Sequence, residues 1–128
     1  MGKDIENLAR VLAVLVADGN YTYVDKIGNA PSKDLLAFYL KEAIRDFHSL
    51  IRGGAKNEKV KDLLDRIVRE LETTRDPFDF LNNSIDQVFS KIESRKDLRE
   101  ISSLISAKAL AISAKYVRTR EESSEGGE

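Results

Sequence analysis

The chain has 128 residues, with 21 lysines and arginines against 22 aspartates and glutamates, one histidine and no cysteine. A chain of this length forms one domain with a sizeable core, and the missing cysteines exclude disulfides, thiolate nucleophiles and cysteine metal sites. A single histidine also excludes a multi-histidine metal site, so no metal or other cofactor is expected and an enzymatic role is disfavoured.

The first predicted element is a helix over about Asp4–Asp18. Its residues 11–17 are apolar on every side, which is typical of a helix surrounded by others. The apolar run is too short to span a membrane and has no cleavage-type flank. We therefore predict a cytoplasmic protein with no membrane partner, in which helix one is central.

A short helix and a long one are predicted next. Thr22 is the predicted cap of the short helix, Tyr23–Ile27, and Ser32 is the predicted cap of the long helix, Ser32–Arg52. This spacing also fits a helix-turn-helix DNA-binding regulator, which is the alternative function. A recognition helix presents polar base-reading groups in its first turns. Here leucine and phenylalanine occupy those turns, which argues against the alternative.

The long helix has two different faces. At roughly 100° per residue, one side is apolar and is predicted to face the core: Leu36, Leu40, Ala43, Ile44, Phe47, Leu50 and Ile51. The opposite side combines basic residues with one aromatic residue: Phe38, Lys41, Arg45, His48 and Arg52. An apolar ring has no packing reason to stand among cations, so this side is a candidate binding surface.

Three interpretations of this surface stay open. Lysine and arginine neutralise backbone phosphates, and an exposed ring stacks on an unpaired base for roughly 1–3 kcal/mol. On this interpretation the nucleic-acid contacts are Phe38, Lys41, Arg45 and Arg52. The same side chains would serve as anchors for a partner protein. The third interpretation is a solvated face on which Phe38 packs under residues 21–23.

Two further helices are predicted in the middle of the chain. Asn57 is the predicted cap of the fourth, which covers residues 57–74 and has one narrow apolar face. Asp76-Pro77 is predicted to start the fifth. We expect Asn82–Ser84 to kink or break the fifth helix, because Ser84 has the spacing of a capping box with Gln87.

The sixth helix is predicted to begin after Ser94, with Asp97 in the capping-box position, and to end at about Arg118. Its predicted buried stripe is Leu98, Ile101, Ile105, Ala109, Ile112 and Tyr116. Residues 121–128 hold four acidic residues and no basic one. We predict a disordered acidic tail over 121–128, after a helical-bundle domain that covers residues 1–120.

Residues 91–120, which include the last predicted helix, have an excess of positive charge, with eight basic residues against three acidic ones. Three serines, Ser102, Ser106 and Ser113, lie on the same flank as two of the arginines. A basic flank rich in hydroxyls suits phosphate oxygens, although lysines commonly border an apolar stripe without binding anything. The predicted nucleic-acid contacts here are Arg95, Arg99, Lys108, Lys115 and Arg118.

The run from Val11 to Phe47, VLAVLVADGNYTYVDKIGNAPSKDLLAFYLKEAIRDF, resembles the small-subunit family of archaeal type I-A CRISPR interference complexes, the archaeal Cascade. The resemblance lies in the apolar first helix, the aromatic YTYVDKI turn, the NAPS helix start and the amphipathic helix that follows. Some members of that family carry an additional β-rich module, for which this chain has no segment. The small subunits of type III complexes are therefore an alternative branch.

The resemblance implies a non-catalytic helical subunit, present in several copies, of a ribonucleoprotein interference complex active in antiviral defence. Such subunits help to hold the guide-paired target strand or the displaced strand, and protein contacts in these complexes run largely to the backbone. We therefore expect an all-α, single-domain bundle of five or six helices that is not an enzyme. Its expected partners are the other subunits and the crRNA and target-DNA backbone or the displaced strand. Weak self-association is also expected.

Overall fold

The computed structural model describes residues 2–53, 58–71 and 77–126, and within these ranges all side chains except those of residues 59, 77, 78 and 117–126. The described residues form six helices and no strand, which confirms the predicted all-α fold. The helices are α1 (Gly2–Ala17), α2 (Thr22–Gly28), α3 (Lys33–Gly53), α4 (Glu58–Leu71), α5 (Pro77–Lys91) and α6 (Arg95–Gly126).

Helix α1 is the centre of the bundle. Residues 11–16 are all buried, and α1 contacts each of the other five helices. Its most extensive contact is with α6, which also packs on α2. Helix α3 packs on α5, α1 and α2. Helix α1 is therefore apolar on every side because other helices surround it, as predicted.

The turn between α1 and α2 differs in part from the prediction. Gly19 has φ +90°, the left-handed conformation expected after a helix end. The predicted Thr22 cap is wrong, because Thr22 is already helical and Tyr21 occupies the N-cap position without a side-chain hydrogen bond. The side chain of Asn20 substitutes for it, since its Oδ1 accepts a hydrogen bond from the Thr22 backbone N–H at 3.1 Å.

Helix α3 begins as predicted. The Ser32 hydroxyl oxygen accepts a hydrogen bond from the Leu35 backbone N–H at 3.1 Å, which is a side-chain N-cap. Most of the predicted apolar stripe is buried, and Leu50 is half-buried. Ile51 is the exception, because its side chain is 37% exposed near the end of the helix.

The predicted break in α5 is wrong, because the helix runs without interruption from Pro77 to Lys91. Its buried side chains recur every three or four residues on both sides of Asn82 and Asn83: Leu81, Ser84, Ile85 and Val88. Packing of this stripe on α1 and α3 keeps the helix continuous. The predicted capping pair does not form, since the Ser84 hydroxyl is buried without a hydrogen-bond partner among the described residues.

The predicted start of α6 is confirmed by two hydrogen bonds. The Ser94 hydroxyl oxygen accepts from the Asp97 backbone N–H at 3.1 Å, and Asp97 Oδ2 accepts from the Glu93 backbone N–H at 3.0 Å. The helix extends to Gly126, beyond the predicted end at Arg118. Residues 121–126, which lie within the predicted disordered tail over 121–128, have a helical backbone.

Two predicted caps, Asn57 and Asp76, lie outside the described residues. The apolar face predicted for α4 is buried apart from Val68, which is half-buried. No helix in the described parts of the chain combines the length and the apolar character that a membrane crossing requires.

Candidate nucleic-acid interface

The outer face of α3 presents the predicted aromatic and basic side chains together. Phe38, Lys41, Arg45 and Arg52 fall within roughly 60° of one another around the helix, at about 100° per residue. All four are exposed, and the Phe38 ring is 53% exposed. The interpretation in which Phe38 packs beneath residues 21–23 is therefore wrong, because the ring faces outward.

A second aromatic ring lies close to Phe38. The Phe38 centroid is 6.0 Å from that of Tyr39, in an edge-to-face arrangement at 63°. Tyr39 is half-buried and packs against the core, and the Lys26 ammonium lies 5.6 Å from its ring centroid, a cation–π distance. Phe38 is therefore the exposed ring of this surface, with Tyr39 and a lysine of α2 beside it.

The acidic residues bordering this face are partly engaged. Arg45 lies 3.7 Å from Glu42, but its side chain is 74% exposed, and exposed pairs of this kind contribute little. Asp46 Oδ2 accepts a hydrogen bond of 2.8 Å from the Tyr23 hydroxyl. Burial, followed by the hydrogen bond and charge of Asp46, raises the pKa of Tyr23 from 10.0 to about 12. The cations of α3 consequently stay available to a ligand.

Two of the predicted basic residues of α6 line a cleft. Arg95 and Arg99 are exposed and face the loop between α2 and α3 across a space of about 430 Å³. The lining of this cleft is Gly28, Asn29, Ala30, Pro31, Arg95, Leu98, Arg99 and Ser102. Because residues 30 and 31 precede α3, the cleft lies at the N-terminal end of that helix.

The serines predicted to form a hydroxyl-rich flank are not a solvent-facing surface. Ser102 and Ser113 are buried, and the half-buried Ser106 donates its hydroxyl hydrogen to the Val24 carbonyl oxygen at 3.0 Å. The flank is covered because α2 packs on it. A Cβ added at Gly28 would lie 3.0 Å from Ser106 Oγ, so glycine permits this close approach.

The remaining basic residues of α6 are not brought together with the cleft. Lys108 and Lys115 are exposed but lie roughly 140–180° around the helix from Arg95 and Arg99. The side chain of Arg118 lies outside the described residues. The positive charge of α6 is therefore divided between two sides of the helix and does not form one strip.

The charged groups that these surfaces present suit the binding of anions. Among the described residues, no three His, Cys, Asp or Glu side chains come together as a metal site would require. The groups presented are guanidinium, ammonium and aromatic groups on two surfaces, one on α3 and one at the cleft. Helix α2 contacts both α3 and α6 and so connects the two surfaces.

Sequence reasoning missed the loop that completes the cleft. In the sequence, Gly28 and Asn29 indicate only the end of a short helix, and nothing in their spacing indicates that α6 lies opposite them. A glycine at a close helix contact and one at a helix end look the same in a sequence. The arrangement depends on contact between α2 and the distant α6.

Comparison with known proteins finds a relative in an archaeon. An uncharacterized protein of Archaeoglobus fulgidus is 49% identical over 112 residues, which cover 86% of this chain and 88% of that protein. No family model and no solved structure matches the chain. At this identity and coverage, the chain belongs to the same protein family as the Archaeoglobus fulgidus protein.

Proposed function

We propose that this protein is a non-catalytic small subunit of an RNA-guided CRISPR interference complex. Its basic helical surface would contact the backbone of the target strand or the displaced strand, and other faces would contact neighbouring subunits. The location that follows from this role is the cytoplasm. A type III complex is the alternative to type I-A.

The observation that carries the proposal is the outward position of Phe38 among exposed cations on α3. An apolar ring in water gains nothing by that position alone, whereas a ring beside Lys41 and Arg45 can stack on a base while the cations neutralise phosphates. This combination does not read sequence. It therefore suits a complex in which base pairing to the guide selects the target.

Two further features support the proposal. The run Val11–Phe47, which resembles the type I-A small subunits, covers the C-terminal part of α1, all of α2 and the part of α3 that bears Phe38, Lys41 and Arg45. The relative from Archaeoglobus fulgidus is archaeal, as that resemblance leads one to expect. The near-neutral total charge, formally −1, fits a subunit that binds free nucleic acid weakly and acts within an assembly.

A salt series with a single-stranded oligonucleotide tests the role of the cations. Replacing Lys41 and Arg45 by glutamate should weaken binding by about tenfold or more at low salt. It should also lower the slope of log K against log salt by about 1.4, since each single-strand phosphate contact accounts for roughly 0.7. The matched control is K61E/R69E, which makes the same change of charge on exposed residues of α4.

The aromatic contact is tested in the same assay. Phe38→Ala should weaken single-strand binding by roughly 1–3 kcal/mol, the contribution of one base stacked on an aromatic ring. Leu104→Ala is the control, because Leu104 is an exposed apolar residue of α6. Equal effects of the two changes would exclude stacking on Phe38.

Two outcomes would replace the proposal. Unchanged affinity of K41E/R45E, with loss of co-purifying partner proteins from native cells, would make the α3 surface a protein-docking face. A preference of orders of magnitude for one duplex sequence would favour the helix-turn-helix regulator. The observation that favours this second function is the packing of α2 on α3, the two helices that would form the helix-turn-helix.

A further inference from the structure

The cleft at the N-terminal turns of α6 has the features of a binding site in its own right. Its volume of about 430 Å³ falls within the range of roughly 300–1,000 Å³ that is typical of small-molecule pockets. Its walls come from two parts of the chain, residues 28–31 and residues 95–102, which are far apart in sequence. No lining residue is acidic, and two are arginines.

No carboxylate of the described residues pairs with the two arginines. Within the described part of the chain, neither Arg95 nor Arg99 makes an ion pair or a side-chain hydrogen bond. The nearby acids of α6 are occupied elsewhere, since Asp97 accepts from the Glu93 backbone N–H and Glu100 lies 4.0 Å from Lys96. The guanidinium groups consequently give the cleft a local positive charge.

A buried hydroxyl in the same lining is independent evidence for a ligand. Ser102 is 2% exposed, and its Oγ has no hydrogen-bond partner among the described residues. Buried polar groups are almost always hydrogen-bonded, so this unpartnered hydroxyl in the cleft lining can donate its hydrogen to a group bound in the cleft. Ser102 and Arg99 lie about one helical turn apart, on the same side of α6.

We propose that this cleft binds a phosphate group, with Arg95 and Arg99 holding its oxygens and the Ser102 hydroxyl donating a hydrogen bond. Guanidinium groups match phosphate oxygens in charge and geometry. The volume exceeds that of a phosphate alone and leaves room for the attached nucleoside. The inference rests on the proposed function only in taking the phosphate to belong to a nucleic-acid strand.

The loop contributes mainly shape. The Asn29 backbone N–H donates to the Asp25 carbonyl oxygen, and the Ala30 N–H donates to that of Ile27. One N–H of the Asn29 side-chain amide also donates to the Asp25 carbonyl, and Pro31 has no N–H. The donors that the cleft offers to a phosphate are therefore the side chains of α6 and the second N–H of the Asn29 amide.

Binding of inorganic phosphate to the full chain, followed by 31P NMR titration, is the first test. We expect saturable binding that R95Q/R99Q weakens about tenfold or more. Ser102→Ala should weaken it by a smaller factor of a few-fold. The matched control is Ser84→Ala, which removes a second buried hydroxyl without a partner, on α5 and outside the cleft lining, and should leave phosphate affinity unchanged.

Oligonucleotides with and without a 5′-phosphate distinguish the source of the phosphate. A stronger affinity for the 5′-phosphorylated strand that disappears in R95Q/R99Q would assign the cleft to a terminal phosphate. Equal affinities that both fall in R95Q/R99Q would assign it to a backbone phosphate. Either result supports the cleft as a phosphate site.

The K41E/R45E variant separates this proposal from the proposed function. It should bind inorganic phosphate as the unchanged protein does, because Lys41 and Arg45 do not line the cleft. The phosphate site would be overturned if no saturable phosphate binding were found, or if R95Q/R99Q, shown to be folded by circular dichroism, bound phosphate as tightly as the unchanged chain.

Discussion

A hydrogen bond between Tyr23 and Asp46 ties α2 to the flank of α3, beside its outer face. The Tyr23 hydroxyl donates to Asp46 at 2.8 Å, and Tyr23 is half-buried. The bond engages one of the two acids that border the cations of α3. It therefore influences both the stability of the protein and the electrostatic potential around these cations. Its energy depends on the protonation of Tyr23, because the phenolate form cannot donate.

Tyr23 should make the stability of the protein sensitive to alkaline pH. Its pKa is about 12 in the folded protein against an ordinary 10.0. The folded state therefore holds this proton more tightly, and the resulting stability is complete below pH 10 and is lost as the pH rises from 10 through 12. Tyr23→Phe should remove this loss and lower the free energy of unfolding at neutral pH by about 0.5–1.5 kcal/mol.

Urea unfolding at a series of pH values, followed by circular dichroism, measures both effects. Tyr21→Phe is the matched control, since the Tyr21 ring is 55% exposed. Parallel stability curves for Tyr23→Phe and the unchanged protein above pH 10 would contradict the role given to Tyr23.

At the scale of single residues, periodicity predicted which side chains of α3 face outward. The exposure of Phe38 follows from its place opposite the buried stripe, because a helix repeats every 3.6 residues. The burial of Ser102 did not follow. Its flank is polar in sequence, and only the packing of α2 on α6 covers it.

At the scale of helices, local sequence signals predicted where helices start better than they predicted where a helix is interrupted. The Ser32 and Ser94 caps form as predicted, because a cap needs only backbone N–H groups within the next turn. The predicted break in α5 does not occur. Its buried stripe on α1 and α3 outweighs the weak helix propensity of two asparagines.

The cap of α3 should contribute measurably to stability. Ser32→Ala removes the acceptor for the Leu35 N–H and should lower the free energy of unfolding by about 1 kcal/mol. Thermal and urea unfolding measure the change. Ser103→Ala, at an exposed position within α6, should alter stability by less than about 0.5 kcal/mol. Equal losses in both variants would show that the cap does not stabilise α3.

At the scale of the molecule, the bundle depends on α1. Leu12 is 1% exposed, and α1 contacts each of the other helices, so a cavity there affects the whole core. Leu12→Ala should lower the free energy of unfolding by roughly 2–5 kcal/mol. Leu104→Ala, at a side chain 43% exposed, should change it far less. Similar losses for the two changes in urea unfolding would contradict a central α1.

The sequence by itself determined the helical class, most of the helix ends, the central position of α1 and the outward face of α3. These features depend on periodicity and on contacts within one or two turns, which neighbouring residues encode.

The tertiary structure alone decided which flanks of the helices are covered and which parts of the chain meet. It brings residues 28–31 opposite Arg95 and Arg99 and buries Ser102. It also keeps α5 helical at Asn82 and Asn83. Each of these features depends on contact between residues far apart in the chain. Helical periodicity describes the faces of one helix at a time and carries no information about which helix will cover them.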